Sequence, residues 1–389
     1  MHDVSMQTQM LIGGEWRDGA GAERFDVENP ANEEAIASVA AGTTADATEA
    51  CEAAASAQAS WAATAPRERG EILRRTWQLM VEHTDELARL ITLEHGKPLA
   101  DARGEVAYAA EFFRWNSEEA VRIHGSLGTA PAGTNRIVVH HPPVGVVVIV
   151  TPWNFPAAMI TRKLAPALAA GNAAVIKPPR ETPLTALRIG ELLHEAGLPA
   201  GVVNIVPTLT SGAWFDAAVD HPATRMVSFT GSTEVGIVLL KRAADRVLKT
   251  VMELGGNAPF VVFDDADLEA AVEGAMVAKM RHSAETCTAA NRFLVHQKVA
   301  DEFTRMFAAA MADVRIGNGF DDGVTCGPMI NAKAVASINE LVTAAADHGA
   351  RIATGGGAVD GPGHFYPPTV LGNVRPGDEI TRHEIFGPV

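Results

Sequence analysis

A glutamate at position 253, inside Val251-Met-Glu-Leu-Gly-Gly-Asn-Ala-Pro-Phe260, is followed 34 positions later by the cysteine of Glu285-Thr-Cys-Thr-Ala-Ala-Asn291. Glu253 and Cys287 supply a base and a nucleophile. Ahead of both, the apolar run 144–150 empties into Thr151-Pro-Trp-Asn-Phe-Pro156, which sets the Asn154 amide between aromatics at a strand end. A thiolate, a carboxylate and a preorganised amide donor are what covalent chemistry on a carbonyl requires. The thiolate adds to the carbon, the amide receives the developing oxyanion, and the carboxylate holds the water that hydrolyses a thioester. Each group alone has a plainer role: cysteine as a small core hydrophobe, glutamate as a surface charge, asparagine as a strand terminator. The polar neighbours Glu285, Thr286 and Thr288 make poor core company for Cys287. Beside Glu253, the Gly255-Gly256 pair lets backbone approach a ligand closely.

The elements that must position these groups follow from hydrophobic patterning. Residues 45–123 are alanine-rich with scattered charges and predict helices, one of which carries Cys51 as a packing residue. From 137 onward, strand-like runs at 137–140, 144–150, 173–176, 202–206, 225–229 and 259–263 alternate with helical stretches at 158–170, 185–196, 233–244 and 268–279. This βαβ rhythm predicts an α/β fold with a doubly wound, mostly parallel sheet and a second α/β unit beginning near Gly255-Gly256. The stretch 125–134 predicts a hairpin excursion, and 385–389 predicts a strand. With 389 residues the chain needs more than one core.

Composition narrows the function classes. A formal net charge of −15 leaves no basic stripe for nucleic acid, so a small-molecule substrate is expected. Three cysteines without a CxxC spacing argue against a disulfide framework or a structural zinc site. No basic and apolar leader opens the chain and no run approaches a membrane span, which predicts a cytoplasmic protein. The acidic residues at 264, 265, 267 and 269 are explained by helix capping, and no metal is assigned.

Two features suit a nucleotide. Phe229-Thr-Gly-Ser-Thr-Glu-Val-Gly236 follows a strand and opens a helix, so the backbone at Gly231 and the Ser232 hydroxyl could meet a phosphate, although an ordinary glycine turn explains the segment equally well. Lys177 ends a strand where a doubly wound sheet binds ribose or phosphate, with a solvated lysine as the plain alternative. The G-x-G-x-x-G fingerprint is absent.

Taken in order and spacing, Thr151-Pro-Trp-Asn-Phe-Pro156, Phe229-Thr-Gly-Ser-Thr-Glu-Val-Gly236, Glu253-Leu-Gly-Gly256, Cys287 and Glu384-Ile-Phe-Gly-Pro388 resemble the aldehyde dehydrogenase superfamily over nearly the whole chain. Pro156-Ala-Ala-Met-Ile-Thr-Arg-Lys163 and the segment 255–267 are most similar to its succinate-semialdehyde members. The resemblance implies a cofactor domain over 1–122 and 144–255, an oligomerisation hairpin over 123–143 and a catalytic domain over 256–389. It implies Cys287 as nucleophile, Glu253 as general base, and an oxyanion hole from the Asn154 side chain with the Cys287 backbone N–H. Trp153, Lys177, Ser232, Leu254, Glu384 and Phe386 match positions that hold a nicotinamide cofactor. Arg162 and Arg281 match arginines that receive a distal carboxylate.

The chain departs from the family pattern at four places. Arg180 stands where NAD-preferring relatives carry a glutamate, which favours NADP over NAD. Pro207-Thr-Leu-Thr-Ser211 precedes Gly212 where a glycine is expected sooner. Ala284-Glu285 replaces a common Gly-Gln, which predicts a negative charge beside the thiol. The family continues past residue 389 with the rest of the catalytic domain and an oligomerisation strand, so the catalytic part is expected to be incomplete, and a homo-oligomer is expected with that segment present. The resulting expectation is NAD(P)-dependent oxidation of succinate semialdehyde through a thioester. Oxidation of glutarate semialdehyde or an uncharged aldehyde, or a catalytically impaired cofactor-binding or structural protein, remain the alternatives.

Overall fold

The computed structural model describes residues 6–389; of the N-terminal stretch expected to lack a leader, residues 1–5 lie outside that range. The chain divides into two compact units. The first holds residues 6–27, Ala37–Leu90 and Arg103–Glu253, and the second holds Glu28–Ile36, Ile91–Ala102 and Leu254–Val389.

The first unit is built on a seven-stranded sheet in the order Lys249–Leu254, Thr224–Gly231, Val146–Val150, Ala173–Lys177, Val203–Ile205, Met10–Ile12, Glu15–Arg17. From Thr224–Gly231 to Val203–Ile205 the strands run parallel, and the two N-terminal strands add antiparallel at the far edge. Every residue of Val146–Val150 and Ala173–Lys177 is buried, which is why these strands read as continuous apolar runs instead of alternating ones. The helices Ala158–Ala169, Leu184–Glu195 and Thr233–Ala244 fall where periodicity predicts them. Strand order reverses at Val146–Val150: the chain first builds outward on one side through Ala173–Lys177, then returns to the other side at Thr224–Gly231. Such a switch point leaves a crevice at the C-terminal strand ends, where doubly wound sheets bind ligands.

One helix of this unit is held by charge at both ends. Ala157, the residue that caps Ala158–Ala169, has no side-chain acceptor. Instead the buried Glu105 carboxylate, from the Leu99–Glu119 helix, accepts the N–H groups of Ala157 and Ala158 at 2.8 and 3.2 Å. At the opposite end the buried Arg69 guanidinium donates to the Ala169 carbonyl at 3.1 Å. An anion at the N-terminus and a cation at the C-terminus both complement the helix dipole and satisfy groups the helix leaves unpaired.

The hairpin forms from Ser126–Thr129 and Arg136–Val139, antiparallel and exposed at every residue. In the second unit Ala258–Val262 pairs parallel with Ala290–Val295 across the helix Leu268–Met280. Asp267 caps that helix, accepting from the Ala270 N–H at 3.1 Å. Phe260, Phe303 and Phe307 gather around Phe293 in the core, with ring centroids 4.9 to 6.3 Å from it. The predicted strand at 385–389 does not form. Phe386 takes φ 54, outside the extended region, and Pro388 has no N–H, although its carbonyl accepts from the Thr369 N–H at 2.8 Å. Among the described residues no helix is long and apolar enough to cross a membrane.

Candidate active site

In the first unit the loop after Val146–Val150 is pinned along its length. The Thr151 N–H donates to the Lys177 carbonyl at 3.3 Å, and the Thr182 hydroxyl donates to the Trp153 carbonyl at 3.3 Å. Glu105 then fixes the first turn of the helix that follows. Asn154 lies inside this fixed segment, buried, with Trp153 half-buried beside it. The neighbouring strand ends at Lys177, whose ammonium donates to the Pro178 carbonyl at 2.8 Å and is pushed down to about 8 by burial. At the end of Thr224–Gly231, a Cβ on Gly231 would lie 2.4 Å from the Phe229 ring, so that turn admits no side chain. Ser232 caps the next helix, its hydroxyl accepting from the Val235 N–H at 3.3 Å.

Arg162 and Lys163 ride on the doubly capped helix and line a cavity of about 350 Å³ together with Ser228, Val251 and Glu253. The Arg162 guanidinium sits 5.5 Å over the Phe112 ring. Lys163 donates to the Ser228 hydroxyl at 3.1 Å, and burial pushes its ammonium down to about 8 against the opposing field of Glu253. Glu253 itself is exposed, as is Arg180, whose Nε stands 3.7 Å from a Glu181 oxygen.

The second unit carries Cys287. Its thiol is exposed, whereas burial drives Cys51 up to about 11 and Cys326 up to about 12. The segment leading to Cys287 turns through three consecutive left-handed residues, His282, Ser283 and Ala284, at φ 50, 57 and 66. A residue with a Cβ costs roughly 1–2 kcal/mol in that region, so the turn is held by its surroundings and not by local preference. Arg281, just before it, is exposed. Glu285, where a charge beside the thiol is expected, lies in surroundings that disfavour a charge. It is fully buried, accepts from the Ile330 N–H at 3.0 Å and stands 3.6 Å from His95 Nε2, and burial pushes its carboxyl well above the ordinary range toward the neutral form.

Glu384 is half-buried against Gly255, where an added Cβ would lie 2.1 Å from the carboxylate. Leu254, next in the chain to Gly255, and Phe386 are half-buried as well. Behind Glu384, the fully buried Lys279 donates to Asn291 at 2.8 Å and is lowered to about 7, by burial first and against the field of Glu384.

Within the first unit the fold gathers Trp153, Asn154, Lys177, Gly231 and Ser232 at the ends of adjacent parallel strands, and Arg162 with Glu253 around one cavity. Within the second it places Arg281 at the start of the left-handed turn, with Cys287 three residues beyond the end of that turn, and sets Glu384 against Gly255. Glu105, Lys163 and Lys279 escape sequence reasoning. Each is an ordinary charged helix residue in the local pattern, and only distant packing buries it.

The aldehyde dehydrogenase family pattern matches residues 16–389. The chain belongs to the aldehyde dehydrogenase family. It is 56% identical over 354 residues to a succinate-semialdehyde dehydrogenase of Paenarthrobacter nicotinovorans, covering 91% of this chain and 79% of that one. It is 47% identical to the NADP(+) succinate-semialdehyde dehydrogenase of Escherichia coli K12, over 98% of this chain and 79% of the relative. A solved NADP-dependent enzyme from Escherichia coli superposes with a TM-score of 0.96 at 46% identity, covering 98% of this chain and 79% of that one. The doubly wound sheet is thus the aldehyde dehydrogenase sheet. Its residues also fit a dinucleotide: the ammonium of Lys177 is held at a strand end, and the capped helix start favours an anion.

Proposed function

We propose that the chain oxidises an aldehyde bearing a remote carboxylate, succinate semialdehyde first, to the acid. The observation that carries the substrate class is the guanidinium of Arg162 in the same cavity as the Glu253 carboxylate, in a chain 56% identical to a succinate-semialdehyde dehydrogenase. A guanidinium fork suits a carboxylate at the far end of a short aldehyde, and the exposed Arg281, six residues before Cys287 in the chain, is a second cation for it.

In this proposal the Cys287 thiolate adds to the aldehyde carbon, and the Asn154 amide and the Cys287 backbone N–H receive the oxyanion. A nicotinamide, when bound, would accept the aldehyde hydrogen as hydride, and that loss would leave Cys287 acylated as a thioester. Glu253 then takes a proton from water as that water attacks the thioester carbon; the C–S bond breaks, the acid leaves and the thiolate is restored. Trp153, Lys177, Gly231, Ser232, Leu254, Glu384 and Phe386 would hold the cofactor. Arg180, exposed and three residues beyond Lys177, favours a 2′-phosphate and so NADP over NAD. A cytoplasmic homo-oligomer, with the hairpin over 123–143 at its contacts, belongs to the same proposal.

The test is NADPH and NADH formation from succinate semialdehyde by this chain and by Cys287→Ala. Thiol-dependent turnover that prefers NADP supports the proposal. Turnover that survives Cys287→Ala overturns the mechanism, and cofactor binding without turnover identifies a binding protein instead.

A further inference from the structure

The three residues before Glu285 adopt a conformation that side chains disfavour, so something outside the turn must hold it. The holders are on the same unit. The Ser283 hydroxyl accepts from the Gly327 N–H at 2.8 Å, and the Glu285 carboxyl accepts from the Ile330 N–H at 3.0 Å. Asp101 takes the backbone N–H of His282. Ser283 and Glu285 are fully buried, so water does not compete for these bonds. The strip they grip is itself fixed. The Cys326 N–H donates to the Arg315 carbonyl at 3.1 Å and the Met329 N–H to the His364 carbonyl at 2.8 Å, while a Cβ on Gly327 would fall 2.2 Å from the Gly96 carbonyl. Two residues past Glu285 the chain emerges at the exposed Cys287.

We propose that Glu285, supported by Ser283, is a positioning residue for the nucleophile: by accepting backbone N–H groups of the 327–330 strip, the pair locks the left-handed turn and so fixes the direction in which Cys287 presents its sulfur and its backbone N–H. The inference rests on the proposed role of Cys287. Glu285 acts through its accepting oxygen and buried shape; it carries no proton to or from the substrate. Loosening the turn therefore misdirects the thiol without touching the cofactor groups of the first unit.

The experiment compares Glu285→Leu, Glu285→Gln, Ser283→Ala and Cys287→Ala by steady-state turnover of succinate semialdehyde, by the NADP dissociation constant, and by the alkylation rate of the thiol with iodoacetamide. The other two cysteines are buried, so alkylation of the folded chain reports on Cys287. Glu285→Leu is expected to lower kcat by about 100-fold and to change the alkylation rate, with the NADP dissociation constant unmoved, because a displacement of about 1 Å has that effect on a positioned group. Glu285→Gln keeps length and an accepting oxygen and is expected to restore kcat to within about threefold, the hydrogen-bond geometry being retained. Ser283→Ala is expected to lie between them.

Native kcat and alkylation in Glu285→Leu overturn the clamp. So does a Glu285→Gln as inactive as Glu285→Leu, since the carboxyl proton or charge would then be what matters. Should Glu285→Leu not fold, Glu285→Gln and Ser283→Ala decide by the same readouts. Turnover surviving Cys287→Ala would remove the nucleophile assignment itself. An inactive Cys287→Ala beside a fully active Glu285→Leu would remove the clamp alone.

Discussion

Replacing Glu105 by alanine strips the anion from the start of the Ala158–Ala169 helix. Its oxygen accepts two buried backbone N–H groups at 2.8 and 3.2 Å, and the side chain is 1% exposed, so solvent does not replace it. Leaving each donor unsatisfied costs about 1–3 kcal/mol, and losing a negative charge at a partly buried helix N-terminus costs about 0.5–2 kcal/mol more. The sum is roughly 2.5–8 kcal/mol, which at about 2–4 °C per kcal/mol for a unit of this size lowers the melting temperature by roughly 5–30 °C. Asn154 lies three residues before the first of these N–H groups, so on its proposed role kcat falls too, by about 100-fold, while KM for NADP changes little. Thermal unfolding by circular dichroism and steady-state kinetics below the transition measure both. Glu105→Gln, which keeps an accepting oxygen but loses the charge, separates the two terms and should lose only about 0.5–2 kcal/mol. A melting temperature within about 2 °C of the parent in Glu105→Ala would refute the capping energetics outright.

Arg162→Glu should raise KM for succinate semialdehyde by roughly 10–100-fold, the worth of a lost charge-assisted bond, and leave KM for an uncharged aldehyde such as butanal unchanged; equal effects on both would exclude Arg162 from carboxylate recognition. Arg180→Glu should reverse the cofactor preference toward NAD, read as the ratio of kcat/KM for the two cofactors, and an unchanged ratio would exclude Arg180 from 2′-phosphate recognition. Lys163 has a folded value of about 8 against an ordinary 10.5. Between these limits the unfolded chain holds a proton that the native chain has released, so stability rises with pH there, and below pH 8 the buried charge is a standing cost. Lys163→Met should therefore flatten that rise and stabilise the chain at pH 7 by at most roughly 3 kcal/mol, measured as urea midpoints from pH 7 to 10; Lys177 and Lys279, lowered to about 8 and about 7, retain the rest of the slope. Destabilisation at pH 7 would show that the Lys163–Ser228 bond outweighs the burial cost.

The doubly wound sheet was legible because strands buried on both faces leave unbroken apolar runs, as at Val146–Val150 and Ala173–Lys177, and because the helices between them keep their own period. Lys249–Leu254 did not announce itself. Four of its six residues are exposed, so no periodic apolar face marks it. The N-terminal strands Met10–Ile12 and Glu15–Arg17 are three residues each, too short to carry a pattern, and exist because the sheet edge offers them partners.

Composition and spacing establish the chemical types: a cysteine, a glutamate and an asparagine at set spacings, the cations Arg162, Lys177 and Arg180, and the alternating strands and helices around Asn154, Arg162 and Lys177. Those follow from local composition and periodicity, which the chain contains whatever it packs against. What each charge experiences follows instead from packing between distant segments. Glu285 changes from an expected anion beside the thiol to a buried acceptor because Ile330, 45 residues away, supplies the N–H it binds. Glu105 and Arg69 become the two caps of one helix across 52 and 100 residues of chain. The physical reason is that hydration and hydrogen bonding belong to surroundings assembled from distant segments, and no local pattern encodes which segments will meet.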